Sequence, residues 1–396
     1  MRSAETDSGA PHAAGLDAAL AADPAAARAG GILQVDLDAA SWNYRRLCAQ
    51  LSPGTECAAV VKANGYGLGV DRLAPTFAHA GARSFFVATI DEGLELRRVL
   101  SDAGHPEAAI YVLNGPLPGT ERELMAARVV PVLNSLGDLE LWRAAGRAAG
   151  VRPPAALHID TGMSRLGLPD DEVDRLAEDP AALAELDLRC YMTHLSSAPE
   201  PEHPENAAQL ARFDAALARL PAAPVSFANS SGIFLGQAYH RDLARPGVAL
   251  YGVNPTPERA NPMQRVVTLK ARVLQVRQID APRGVGYGAT FRAQGPTRIA
   301  TIAAGYADGL LRHLSNSGQV AVGGRCVPVV GRVSMDSMTV DVTALGDGAP
   351  VAGSFVDVIG DGHDQDALAA EAGTIGYEVL TSLGARYHRV YTGGSG

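Results

Sequence analysis

The sequence predicts an α/β protein: a (β/α)8 TIM-type barrel followed by a mostly β C-terminal domain. Three observations predict it. Eight short β-rich runs alternate with amphipathic segments through the middle of the chain, which implies parallel strands joined by helical crossovers. These runs finish on or beside polar residues, as strands do at the mouth of a closed barrel. Beyond about residue 263 the alternation stops, and strands follow one another across Gly and Asp turns.

The elements follow in order along the 396 residues. The first thirty are Ala-rich, with no basic start and no apolar segment. They resemble neither a secretory signal nor a membrane span, and read as a flexible extension. A helix is expected over residues 39–51. Barrel strands are expected at residues 58–62, 85–89, 110–114, 130–134, 157–160, 190–195, 225–230 and 243–245, with helical patterns between most of them, such as 91–100 and 205–220. Their ends place Lys62, Thr89, Asn114, Asn134, Asp160, His194, Ser230 and Arg245 around one mouth. Pro and Asn cluster over residues 254–262, which marks a boundary. Strands are then expected at 268–279, 297–303, 319–322, 327–330, 338–342 and 355–359, and one helix at 367–383. The expected domains are therefore an extension (1–30), a barrel (31–262, its first strand shared between barrel and β domain as alternatives), a β domain (263–392) and a flexible tail (393–396).

Composition narrows the function. The net charge is −9 and no long basic run is present, which argues against a nucleic-acid partner. Cys48, Cys57, Cys190 and Cys326 form no CxxC pair, so they read as free thiols of a reducing compartment rather than a metal site or disulfide frame. The expectation is a cytoplasmic protein with no membrane association and no metal. No phosphate-binding P-loop is present, and Gly-x-Gly pairs such as Gly65/Gly67 carry little weight among 43 glycines.

Lys62 is the residue with most chemistry in it. It follows Ala-Ala-Val-Val at the end of a buried strand. Desolvation there lowers an amine's pKa, and the neutral amine is the form that attacks an aldehyde. Taken by itself, the segment also reads as a lysine reaching to the rim.

The surrounding segments resemble the alanine racemase family, of pyridoxal 5'-phosphate (PLP) fold type III. They are VVKANGYGLG around Lys62, HIDTGMSRLG from His158, THLSSA from Thr193, ANSSG from Ala228, LARPGVALYG from Leu243, VGYGATF from Val285, AAGYADGL from Ala303, GRVSMD from Gly331 and IGYEVL from Ile375. Their order spans both domains from residue 31 on.

The resemblance implies roles for individual residues. Lys62 would hold PLP as a Schiff base and serve as one catalytic base. Tyr66, Ser230 and Tyr377 would bind the cofactor phosphate, with backbone amides near Asn229, Gly247 and Val248. Arg165 would bond the cofactor's phenolic oxygen and help bind substrate. Arg245 would face the pyridine nitrogen. A guanidinium stays charged and takes no proton, so the ring would be a weak electron sink, which suits quick reprotonation and a racemase. Tyr287, from the partner subunit of a homodimer with shared sites, would be the second base, with His194 bonded to it. Tyr306 and Met335 would narrow the substrate entrance, and Asp336 would be structural. The implied reaction interconverts L-alanine and D-alanine, supplying peptidoglycan. A racemase of serine or lysine, and a non-enzymatic PLP-binding barrel protein, are the alternatives.

Two positions depart from the family. His158 stands where a lysine, modified to a carbamate that braces the arginine, is frequent. Ser334 stands where a cysteine is frequent.

Overall fold

The first strand, β1 (Gly31–Asp36), does not enter the barrel. In the computed structural model, which describes residues 23–394, the chain divides into two compact units. One comprises residues 39–264; the other joins the residues up to Asp38 to those from Arg265 onward. Residues 1–22 of the expected extension, and the last two of the expected tail, lie outside the described residues.

The barrel is built from β2 (Glu56–Cys57), β3 (Ala59–Val60), β4 (Ser84–Val87), β5 (Ala109–Val112), β6 (Val129–Leu133), β7 (Pro154–His158), β8 (Asp187–Met192), β9 (Val225–Asn229) and β10 (Leu243–Arg245). All neighbours are parallel, in the order β2-β10-β9-β8-β7-β6-β5-β4-β3. β2 and β3 are halves of one strand interrupted at Ala58, so nine segments make eight strands. This strand closes the ring. Ala58 N–H donates to Ala244 O and Val60 N–H to Pro246 O on one side, and Val61 N–H donates to Phe86 O on the other. The strands are near-continuous apolar runs because both faces are covered. Phe85, Phe86, Tyr191, Phe227 and the helix residues Phe77, Trp142 and Phe213 are fully buried.

The helices start and stop where local chemistry dictates. Thr89 caps the helix Ile90–Asp102 in a capping box with Glu92. Ser135 caps Leu136–Ala149 at one end, and Gly150 in a left-handed conformation ends it.

In the second unit, β11 (Val267–Ile279) is the longest strand and joins two sheet regions. Its first half pairs with β1 and with β18 (Phe355–Ile359), and its second half with β14 (Thr297–Ile302). β12 (Gly284–Val285) and β13 (Phe291–Arg292) form a small hairpin. β15 (Gln319–Val322), β16 (Arg325–Pro328), β17 (Met338–Asp341) and β19 (His388–Thr392) complete the unit. Ile279, Val285, Ala293, Ile299 and Val330 form one of its buried clusters. The single helix expected at residues 367–383 is two, Gln365–Glu371 and Gly376–Ser382. Gly373, at φ +69°, breaks it.

Candidate active site

The strand carrying Lys62 was expected to run to residue 62, but its ladder ends at Val60. Ala63, Asn64, Gly65 and Tyr66 then take φ between 53° and 62° in succession, one turn of left-handed helix. Left-handed backbone costs about 1–2 kcal/mol for each residue bearing a Cβ, so the turn needs outside support. Asn64 Oδ1 accepts the Val70 N–H at 2.8 Å. The Glu92 carboxylate accepts the N–H groups of Ala63 (2.7 Å), Ala88 (2.7 Å) and Thr89 (3.2 Å), locking the ends of the first two barrel strands together. Strain concentrated beside one lysine is what a functional site leaves in a backbone.

The barrel brings most of the expected residues to one rim. Burial pushes the Lys62 amine below its ordinary value, the Arg165 cation adds to this, and Glu92 opposes it. Tyr66 is buried and packs against Tyr251, the rings tilted by 30° with centroids 4.6 Å apart. Its hydroxyl occupies the space beside Gly247: a Cβ there would lie 2.3 Å from it. Ser230 Oγ accepts the N–H groups of Gly247 (2.9 Å) and Ala249 (3.3 Å). Val248 is buried beside them. Asn229 Oδ1 accepts the Gly232 N–H at 2.9 Å, fixing the turn that follows.

Arg245 is buried and donates to Ser226 Oγ and Thr193 O. Burial lowers its pKa to about 10, which leaves it charged at neutral pH. His194 keeps some surface open, yet its imidazole is held well below the ordinary value, first by desolvation, then by electrostatic interaction with Arg245 and Arg165, with smaller contributions from His158 and Lys62. Arg165 is exposed on the loop after β7. Asp160 shapes that loop by accepting the N–H groups of Gly162, Met163 and Ser164.

His158 is neutral rather than anionic. Burial, then the Arg245 cation, lower its pKa to about 4. Asn134 Nδ2 donates to Leu113 O and Val132 O, both at 3.0 Å. Its Oδ1 must therefore accept, and it faces His158 Nδ1 at 2.9 Å. This assigns the proton to Nδ1 and leaves Nε2 with a lone pair.

Tyr287, Tyr306, Met335 and Tyr377 belong to the β unit. The first three occupy adjoining loops. Gly286, before Tyr287, packs against Arg332. Tyr306 N–H donates to Ser334 O and Ala307 N–H to Met335 O, both at 3.0 Å. Arg386 fastens two of these loops by pairing with Asp308 (3.1 Å) and Asp336 (2.8 Å). Tyr287 is 73% exposed, far more than a tyrosine serving only its own fold requires.

Comparison with known proteins decides the family. The models for "Alanine racemase, N-terminal domain" and "Alanine racemase, C-terminal domain" match residues 35–255 and 266–391. The chain belongs to the alanine racemase family. It is 50% identical to the alanine racemase of Rhodospirillum rubrum over 92% of this chain and 97% of that one. It is also 50% identical to the catabolic alanine racemase of Mesorhizobium japonicum over 93% and 95%. The alanine racemase of Bartonella henselae, a structure with covalently bound PLP, superposes with a TM-score of 0.88 at 43% identity, over 92% of this chain and all of that one.

The barrel of this alanine racemase family member fits such a cofactor. A phosphate dianion wants hydroxyl donors and close backbone approach. The Tyr66 and Ser230 hydroxyls converge on Gly247, where a side chain would fill the space. An aldehyde wants a lysine amine of lowered pKa, and Lys62 supplies one.

The sequence reading missed Glu92, Thr193, Ser226 and Gln209. The Thr89-x-x-Glu92 capping box signalled the first. The others show only as polar residues on otherwise buried faces.

Proposed function

We propose that this protein interconverts L-alanine and D-alanine by two-base proton transfer, with PLP held by Lys62. The supporting observation is the rim itself: a lysine of lowered pKa beside a strained turn, two hydroxyls meeting at Gly247, and a buried, charged Arg245. Bound PLP would supply the electron sink that acidifies the substrate Cα–H.

The chain's own groups do the rest. The Tyr66 and Ser230 hydroxyls, with the backbone at Gly247 and Val248 and with Tyr377, would anchor the phosphate. Arg165 would orient the cofactor and the substrate carboxylate. Arg245 would donate hydrogen bonds without exchanging a proton, since a group of pKa about 10 stays charged at neutral pH. Lys62 would move a proton at Cα on one face. Tyr287 of a second copy would move it on the other face, which agrees with the exposure of that side chain in the single chain. Tyr306 and Met335 of the second copy would keep the entrance narrow enough for alanine. We assign the product to peptidoglycan supply and the protein to the cytoplasm; among the described residues no helix is long and apolar enough to cross a membrane.

The test is incubation with L-alanine in deuterated water. D-Alanine carrying deuterium at Cα is expected, and its absence overturns the reading. Lys62→Ala should lose both the visible absorbance and the activity. Tyr287→Ala alone should also be inactive. Mixing Lys62→Ala with Tyr287→Ala chains under subunit exchange should restore roughly a quarter of wild-type activity, because half the dimers are mixed and each has one intact site. No restoration, with exchange verified, would place both bases in one chain.

A further inference from the structure

The helix Pro204–Leu217 buries Phe213 and Ala216, and one turn before them on the same face it also buries Gln209, at 0% exposure, beside Asn206. A primary amide on a buried helix face is costly unless its hydrogen-bonding capacity is met. Here every valence is used. Oε1 accepts from Ser196 N–H at 2.9 Å and Ser196 Oγ–H at 3.0 Å. Nε2 donates to His194 O at 2.9 Å and to Thr161 Oγ1 at 3.1 Å. Thr161 Oγ1 lies 2.8 Å from Thr193 Oγ1, and since it accepts from Gln209, its own hydrogen is available to Thr193. Thr193 O in turn accepts from the Arg245 guanidinium. The same helix grips the loop a second time, as Arg212 Nε donates to Thr161 O.

We propose that Gln209 is a positioning residue for the reaction: its amide locks the segment bearing His194 to the loop bearing Arg165, and through Thr161 and Thr193 it sets the seat of Arg245. Gln209 touches no reacting atom. Its effect is to hold three cationic or ionisable groups at fixed depth in the mouth. The groups facing His194 there are Arg245, Arg165, His158 and Lys62, all from the barrel unit. With the clamp gone, segment 193–197 loosens and water reaches the imidazole. Desolvation is the leading cause of its low proton affinity, so His194 then titrates at higher pH.

The activity arm of the test rests on the racemase reading; the titration arm does not. Gln209→Leu keeps volume and removes all four hydrogen bonds. Thr161→Val is near-isosteric and cuts the arm that runs through Thr161, removing its bond from Gln209 Nε2 and its contact with Thr193 while leaving the bonds of Gln209 to His194 and Ser196. Both are compared with wild type as the PLP-loaded protein. The His194 imidazole titration is followed by NMR, with His194→Gln for assignment, and kcat and KM for L-alanine are measured across pH. We expect the His194 titration to move up by on the order of one pH unit. We expect kcat/KM to fall roughly ten- to hundredfold, mostly through kcat, with the acid limb of the profile following His194. If folded variants that keep the visible band show an unmoved His194 titration, Gln209 merely ties a helix to the barrel and the proposal is overturned. Should Gln209→Leu fail to fold, Thr161→Val alone decides by the same readout. A wild-type protein that does not racemise alanine would defeat the functional reading, while the titration would still decide the role of Gln209.

Discussion

Replacing Glu92 by Gln is the sharpest probe of the strained turn at Lys62. The carboxylate accepts three backbone N–H groups, one through Oε1 and two through Oε2. An amide has one acceptor oxygen, and its NH2 cannot face an N–H. The better of its two orientations keeps the bonds to Ala88 and Thr89 and loses the bond to Ala63. Hydrogen bonds to a charged group contribute about 1.5–3 kcal/mol and neutral ones about 1 kcal/mol. One bond is lost and two are weakened, but the exposed Ala63 amide can rehydrate, so the cost is about 2–3 kcal/mol. For a unit the size of the barrel, residues 39–264, this lowers the melting temperature by about 4–6 °C. There is a second effect. Glu92 opposes the downward push that burial and Arg165 exert on the Lys62 amine. Without that charge, Lys62 keeps its neutral form to lower pH. The uptake of PLP by cofactor-free protein, followed by its visible absorbance, should then remain fast at lower pH than in wild type. Calorimetry and stopped-flow absorbance measure the two effects. A variant melting within about 1 °C of wild type, with an unshifted uptake profile, would refute the idea that Glu92 holds this turn.

Two further outcomes follow from the rim. His158 has a folded pKa of about 4 against an ordinary 6.5; the unfolded chain binds its proton as pH falls through 6.5 and the folded one does not until about 4. Stability is therefore lost across that window, by about 3 kcal/mol from this residue. His158→Asn should flatten the fall in urea stability between pH 7 and pH 4.5 by most of that amount, about 2 kcal/mol, and an equally steep fall would show that His158 is not the group responsible. Gly247→Ala places a Cβ 2.3 Å from the Tyr66 hydroxyl, and Tyr66, buried against Tyr251, cannot yield without repacking. Overpacking of this kind costs about 1–3 kcal/mol, so PLP affinity measured by titration should weaken about tenfold or more; an unchanged Kd would mean that Tyr66 and Gly247 do not shape the cofactor cradle.

The barrel was legible because each of its strands is a short apolar run set off by a helical pattern, and that periodicity survives in the sequence. Its seam was less so. The run at 58–62 reads as one strand, but the strand begins earlier at Glu56, its ladder stops at Val60 and the backbone turns left-handed at Ala63, a conformation that Ala and Tyr do not advertise. In the β unit, the reading merged two helices because apolar spacing continues past Gly373, and it passed over β19, where His388 and Arg389 dilute the pattern. The residues named from family motifs mostly came together on the barrel rim. The clamps behind them did not announce themselves. Glu92 was visible as a helix-capping residue but not as the tie between two strands, since its partners are backbone groups with no sequence signature. Gln209 is a polar letter in a helix, with no motif around it, and only the fold shows that His194, Ser196 and Thr161 surround it.

The position of β1 has a consequence for how this chain can be made and cut. β1 is not an edge strand: it lies between β11, with Gly31 opposite Ala271, and β19, with Ile32 beside His388. Its partners are synthesised only after the whole barrel segment, so the N-terminal strand waits unpaired through most of translation. A recombinant piece beginning at Arg265 would contain every C-terminal strand yet lack the one that joins β11 to β19, and two unsatisfied strand edges would face solvent in its place. Such a piece should self-associate, and a synthetic peptide spanning Gly31–Asp36 should return it to solution.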